Sequence, residues 1–245
     1  MPGPGEIALL HQLERARALH DERAASPALA ATLDRLARWQ SRRLKQTYAD
    51  LARMPRYASA VAFFGTDLYG PGDFSRRDAD LARVVPLMTK MLPDGVLATV
   101  ASAMELSVLS HELDRALLRH LDPAAPLSVA TYCDAYRALD DRASRRRQVE
   151  LIVSVGRALD RFVGKPLVRA ALVAMRQPAR VAGFGALQDF LERGFTAFRT
   201  MHGADEFLGI VQSRETALMD AIVGGDRAPF AEPEPGPETG QASGR

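Results

Sequence analysis

The sequence predicts an all-α fold, a compact multi-helix bundle of roughly nine or ten helices with a disordered C-terminal tail. Apolar residues recur at spacings of three and four, and Val and Ile are not gathered into alternating runs. The breaks fall at Ser-Pro, Asp-Pro and Gly steps, which start and stop helices. Hydrophobic residues make up 47% and charged residues 25% of the 245, enough apolar surface for a packed core and too much for general disorder.

In chain order, a first helix is expected near 6–24. Ser26-Pro27 supplies an N-cap and a proline at the first helical position, opening a long helix over 27–53. A helix over 56–68 follows. Ser75 and Asp78 have the spacing of a capping box for the next one. Asp94 caps a second long helix over 95–121, which Asp122-Pro123 stops. Ser128 and Ser144 cap helices over 129–142 and 145–164, and Pro166 opens a helix to 176. Helices over 183–201 and 204–223 carry apolar stripes, Phe184-Leu187-Leu191 and Phe207-Val211-Leu218 among them, and are expected to pair across the Gly203 turn. Residues 1–225 read as a single helical domain, and 226–245, rich in Pro, Gly and Glu, as the disordered tail.

Charge and cysteine usage exclude several function classes. Basic residues number 32 and acidic residues 30, with no unopposed basic block, so nucleic acid is not an expected partner. The longest run without a charge, Pro123 to Cys133, is far short of the roughly 20 apolar residues that span a bilayer, so no membrane span is expected. Met1 to Glu14 lacks the pattern of a signal peptide, and Cys133 is the single cysteine. The expected location is the cytoplasm.

Residues 63–78 stand out. Phe63 and Phe64 end a helix, Gly70-Pro71-Gly72 turns the chain, and a capped helix begins with Arg76 and Arg77. That helix start and its two arginines could hold an anion or a partner's carboxylate. The favoured reading is that Asp67, Asp73 and Asp78 neutralise them and that the aromatics, Tyr69 among them, anchor a structured loop.

The run Phe63-Phe64-Gly65-Thr66-Asp67-Leu68-Tyr69 resembles, in variant form, the signature of a bacterial family called FFLEELY-motif proteins. Leu113-Asp114-Arg115, Tyr132 to Arg137, Pro178-Ala179, Phe190 to Phe195 and Arg214-Glu215 are similar to later segments of that family, so the resemblance spans about 55–223. Gly65-Thr66 stand where the signature has Leu-Glu, and Asp67 where it has Glu. The family has no assigned activity, and the resemblance implies none.

Known catalytic patterns are missing. His111-Glu112-Leu113-Asp114-Arg115 begins like a zinc-protease helix, but Arg115 stands where the second histidine is needed. No Glu-x-x-His or Asp-x-x-His occurs, as a di-iron bundle would require. Gly183-Phe184-Gly185 follows no strand and has Gln188 at the third glycine position, so it is no dinucleotide loop. Phosphate-loop and nucleophile-elbow motifs are absent too. Cys133 reads as a buried structural thiol beside Asp134, not as a nucleophile.

A few polar positions remain as candidates. His111 shares a stripe with Met104 and Leu118, where it could face a haem, or be held in the core by Asp114. His11, His20, His120 and His202 are weaker. Glu215 falls on the apolar stripe of its helix and must be paired if buried. Glu192 lies on a polar face and suits either ion pairing or a polar pocket. Arg145-Arg146-Arg147 at a helix start are expected to form surface salt bridges with Asp140, Asp141 and Glu150.

The leading reading is a soluble, non-enzymatic binding or interaction protein with no cofactor. Its partner would be a small molecule or a protein, at a groove near the Asp67–Arg77 loop, with a homodimer as an option. The alternative is an enzyme or a haem or metal carrier of unrecognised type, using His111, Asp114 and Glu215 in an interhelical pocket. A shared site requires Asp67, Arg76, Arg77, His111 and Glu215 to converge. An interaction protein should instead show an exposed apolar patch.

Overall fold

Packing decides which sequence signals are used, and in several places it redirects them. The computed structural model describes residues 2–68, 75–91 and 94–234, without the side chains of 68, 76 and 87–91. Among the described residues there are eleven α-helices, one π-helical turn and no strand. The helices are α1 (Pro4–Ala25), α2 (Pro27–Thr47), α3 (Ala49–Ala52), α4 (Pro55–Phe63), α5 (Ser75–Met91), α6 (Asp94–Leu118), α7 (Val129–Leu139), α8 (Arg142–Val163), α9 (Pro166–Val181), α10 (Gly185–Thr200) and α11 (Asp205–Val223). The π-turn, Phe64–Leu68, continues α4.

Asp94 was expected to cap α6. Its carboxylate instead accepts from the Gly5 backbone N–H of α1 at 3.0 and 3.2 Å. The N-cap of α1 is Gly3, which has no side chain to do this work. A Cβ on Gly5 would meet the Asp94 carbonyl at 2.6 Å, so glycine is what lets the two helix starts touch. From there α1 and α6 run parallel, joined further along by Arg15–Glu112 and Arg115–Glu22.

Other boundaries shift for equally local reasons. The helix expected over 27–53 breaks at Tyr48, whose side chain is drawn to Glu215. Asp140 takes a left-handed conformation, φ 49°, and ends α7 three residues early. Asp141 caps α8 by accepting from the Ser144 N–H, so the cap is Asp141 and not Ser144. α9 runs through Pro178; Ala174, whose carbonyl loses its partner there, is exposed and can be hydrated. Asp78 does not complete a capping box, because His20 and Arg77 hold its carboxylate.

Three apolar clusters form the core. One joins α1, α5, α6 and α10 through residues such as Leu9, Val85, Met104 and Leu187. A central one gathers Tyr57, Leu151, Phe198, Met201, Phe207 and Leu208. The third surrounds Trp39, Leu117, Tyr132 and Cys133. α10 and α11 do not pair as their stripes suggested. Each packs on α8, and α10 also packs on α4. His202 (φ 51°) and Gly203 (φ 109°) splay them, and Arg56 holds that turn by donating to the Met201 and Gly203 carbonyls. Leu208 sits directly over Gly156 of α8, where a Cβ would meet it at 2.5 Å.

Residues 226–234, expected to be disordered, pack as a strap. Phe230 lies 6.1 Å from the Trp39 ring and 6.5 Å from that of Tyr132. Glu232 accepts from the Val129 N–H at the start of α7, and Arg227 pairs with Asp134. Residues 235–245 lie outside the described residues. α6 is the one described helix long and apolar enough to cross a membrane by length and composition; here it packs against α1, α2, α5, α7 and α8.

Candidate functional site

The polar residues singled out by sequence fall into two networks and one exposed clamp. Tyr69 lies outside the described residues, as does the side chain of Arg76.

The first network starts at Asp67 in the π-turn, a distortion of the helix frequent at functional sites. Its Oδ1 accepts from Arg193 Nε and Nη2 at 2.9 and 2.6 Å, and its Oδ2 from Thr66. Arg77 stacks on the Phe190 ring at 4.9 Å and donates to the Asp67 carbonyl and to Asp78. His20 reaches the other Asp78 oxygen at 2.9 Å. Burial pushes the Asp78 carboxyl up, but the His20 hydrogen bond and the Arg77 charge outweigh it and leave the pKa lowered. The His20 ring then meets the His111 ring edge-on, centroids 6.4 Å apart.

The second network is centred on Glu215 and Asp114. Arg43 grips Glu215 with two hydrogen bonds, 2.8 and 3.2 Å, and Tyr48 Oη adds a third at 2.8 Å. Burial raises the Glu215 pKa, and the charge and hydrogen bonds of Arg43, with Tyr48, more than reverse it. Asp114 accepts from Gln40 at 2.8 Å, while His111 Nδ1 is bonded to the Ser107 carbonyl at 2.8 Å. Desolvation dominates at Asp114 and raises its pKa despite Gln40, Arg145 and His111.

Arg145 is not in a surface salt bridge. It is 8% exposed, stacks on Tyr136 at 4.7 Å and donates to Gln148. Its Nε and Nη2 are buried with no hydrogen-bond partner among the described residues. Its neighbour Arg147 does make the expected surface pairs, with Glu105 and Glu150.

Asp67 and Arg77 therefore lie along one line of contacts and Glu215 lies in the other network with Asp114, while His111 stands between them, ring-to-ring with His20 and near enough to Asp114 for its charge to act on that carboxyl. Glu192 is in neither. It accepts from Arg176 at 2.7 Å and from Gln188 at 2.8 Å, clamping α9 to α10. Arg180–Asp189 is a second such link. Cys133 is fully buried, and desolvation pushes its thiol up to about 11, so it is a poor nucleophile at neutral pH. Among the described residues, no group of three or more His, Cys, Asp or Glu is placed to hold a metal ion.

The sequence reading missed Arg43, Tyr48, Gln40, Arg193 and the outer face of α9. At ~3.6 residues per turn, α9 turns Val168, Leu172 and Ala179 towards the protein. Arg169, Arg176 and Arg180 lie on one flank. The arc facing solvent carries Leu167, Ala170, Val173, Ala174 and Val181, with Gln177 its single polar side chain. Leu167 is 84% and Val181 89% exposed. Beside this arc a groove of about 650 Å³ runs between α9, the end of α8 and Arg199 of α10. Lys165, Arg169 and Arg199 border it, and none has an ion-pair partner among the described residues. An ordinary surface helix turns its charges to water; α9 turns an apolar arc there.

The chain belongs to a family described as a domain of unknown function (DUF8198), whose model matches residues 19–229. No curated protein and no solved structure matches it. The matched span includes both networks and all of α9. Several segments quoted above for their resemblance contact one another. Phe63 packs on Phe190 at 5.5 Å and against Gly194, and Asp67 pairs with Arg193.

Proposed function

We propose that the protein is a non-enzymatic binding and interaction protein that engages a protein partner through the outer face of α9. One observation carries this reading: a solvent-facing apolar arc, contiguous along the helix, lies beside a groove edged by cations that have no ion-pair partner among the described residues. The polar residues that suggested chemistry have structural partners instead: Asp67 with Arg193, Glu192 with Arg176, Glu215 with Arg43 and Tyr48. Buried cysteine supports a cytoplasmic setting. We propose further that the family includes the FFLEELY-motif proteins of bacteria, a reading supported by the packing of Phe63 and Phe64 against α10 and α11.

The test is co-purification from the protein's own host, comparing the native chain with a Leu167→Glu, Val173→Glu double variant. Both positions are exposed, so the variant should fold and melt as the native chain does. Loss of co-purifying proteins from the variant supports the reading; the same set from both removes it.

A second reading has its own observation, the Arg145 donors that find no partner among the described residues, with the charge of Arg145 acting on both Asp114 and Glu215. Buried donors are normally bonded, and a small polar ligand in the interhelical core would satisfy these. Native mass spectrometry on gently purified protein tests it: a bound small molecule, lost from Arg145→Met, supports it, and a clean apo mass does not.

A further inference from the structure

We propose that the α9 groove receives an acidic amphipathic helix of a partner protein. The inference rests on the reading that α9 is the interaction face, and adds the chemistry of what binds there.

Charge is the first argument. Between Asp160 and Asp189 the chain carries Arg161, Lys165, Arg169, Arg176 and Arg180 and no carboxylate. Two of these, Arg176 and Arg180, are used internally against Glu192 and Asp189. Lys165 and Arg169, joined by Arg199 from α10, edge the groove with no carboxylate among the described residues to balance them. A segment carrying Asp or Glu beside its apolar face supplies that balance. A second copy docked groove to groove would bring more basic side chains and no groove-lining carboxylate, leaving Lys165, Arg169 and Arg199 unbalanced, and like charges across an interface are disfavoured.

Shape is the second argument. α9 is 16 residues long, so its apolar arc extends about 24 Å. That length suits an extended occupant lying along it. Ala170 and Ala174 are one turn apart on the arc, and with Ala171 they keep its centre low. Small residues let a second helix axis approach closely, at the ~8 Å end of the usual range. A helix built to lie in a membrane surface carries large side chains such as Trp, Phe and Leu on its apolar face. The outer face of α9 has no aromatic residue and one leucine, which favours a helix over a lipid surface.

The probe is a designed peptide of about 20 residues, long enough to hold a helix in water, with Leu and Ala on one face and Glu on both flanks. A second peptide has Lys in place of every Glu. The full-length protein is titrated with each by fluorescence anisotropy, and tested for sedimentation with phosphatidylglycerol vesicles. The expected result is binding of the Glu peptide and little of the Lys peptide. Arg169→Glu should weaken the Glu peptide roughly ten-fold or more and improve the Lys peptide, and Val173→Glu should weaken both. No binding of the Glu peptide, equal binding of the two peptides, or binding indifferent to Arg169→Glu overturns the inference. So does recruitment to vesicles with no binding of the Glu peptide, which assigns the face to a lipid surface. If these fail while host partners still depend on Leu167 and Val173, α9 remains the interaction face and only the chemistry of the occupant is wrong.

Discussion

Two surfaces of this molecule start from similar apolar material and end differently. Near the C-terminus, the chain lays residues 226–234 across Trp39 and Tyr132 and fastens them with Phe230, Glu232 and Arg227. At α9, Leu167, Val173 and Val181 face water, with none of the described residues over them. The strapped surface backs onto the Arg43–Glu215 pair, with Arg43 stacked 5.7 Å beneath Phe230. Covering it keeps a charged pair dry. Behind α9 the links to α10 are Arg176–Glu192, Arg180–Asp189 and the buried Gln188, which donates to the Leu172 carbonyl; none of these side chains belongs to the outer arc, so exposing that arc disturbs nothing inside. Apolar exposure is tolerated where the core does not depend on it, and that is where a partner can bind without unfolding the protein.

The comparison can be broken first from the strapped side. Glu215→Ala leaves the Arg43 guanidinium buried and unpaired, and should destabilise the protein by roughly 3–5 kcal/mol in urea unfolding. Replacing both residues, Arg43→Met with Glu215→Leu, should recover much of that loss. The contribution of Glu215 also depends on pH. Its pKa is lower in the folded protein, so its stabilisation is present above the ordinary glutamate range and is lost as pH falls through the folded value.

Phe230→Ala should cost less, about 1–3 kcal/mol, because that ring is only half-buried. Trp39 is the single tryptophan, so its emission should shift to the red as the strap loosens.

Asp114→Asn has the opposite sign. The folded pKa of Asp114 is raised, so its contribution is present at low pH and is lost as pH rises through the folded value. At pH 7 the neutral amide, which can still accept from Gln40, should raise the melting temperature by about 2–4 °C, the effect of ~1 kcal/mol in a chain this size. At pH 4 the gain should shrink.

The smallest effect on stability belongs to Leu167→Glu and Val173→Glu. Each should change the unfolding free energy by no more than ~0.5 kcal/mol, since neither side chain is buried by the fold. A large loss at either position would mean that the outer arc is part of the core after all.

Much of the fold was legible because helix periodicity and Pro, Ser and Gly punctuation act locally. The all-α class and most helix starts follow from them. What was not legible depended on partners distant in sequence. Asp94 has the look of a cap for its own helix and serves α1, 89 residues away. Glu215 was recognisable as awkward from its place on an apolar stripe, but Arg43 and Tyr48, which satisfy it, lie about 170 residues earlier. Arg145 did carry a signal: it lies two turns before Ile152, on the face α8 buries. The α9 face was hidden because an amphipathic sequence shows that one side is apolar, and says nothing of whether the fold covers it.

The most direct test of the contrast is photocrosslinking in the protein's own host, with benzoyl-phenylalanine placed either at Ala170 on the α9 arc or at Ala231 on the strap. Both positions are exposed, so reach into solvent is comparable. The account predicts a discrete protein adduct from position 170 and none from 231. Adducts from 231 alone, or from neither, would contradict it and return the search to the buried networks around Arg145.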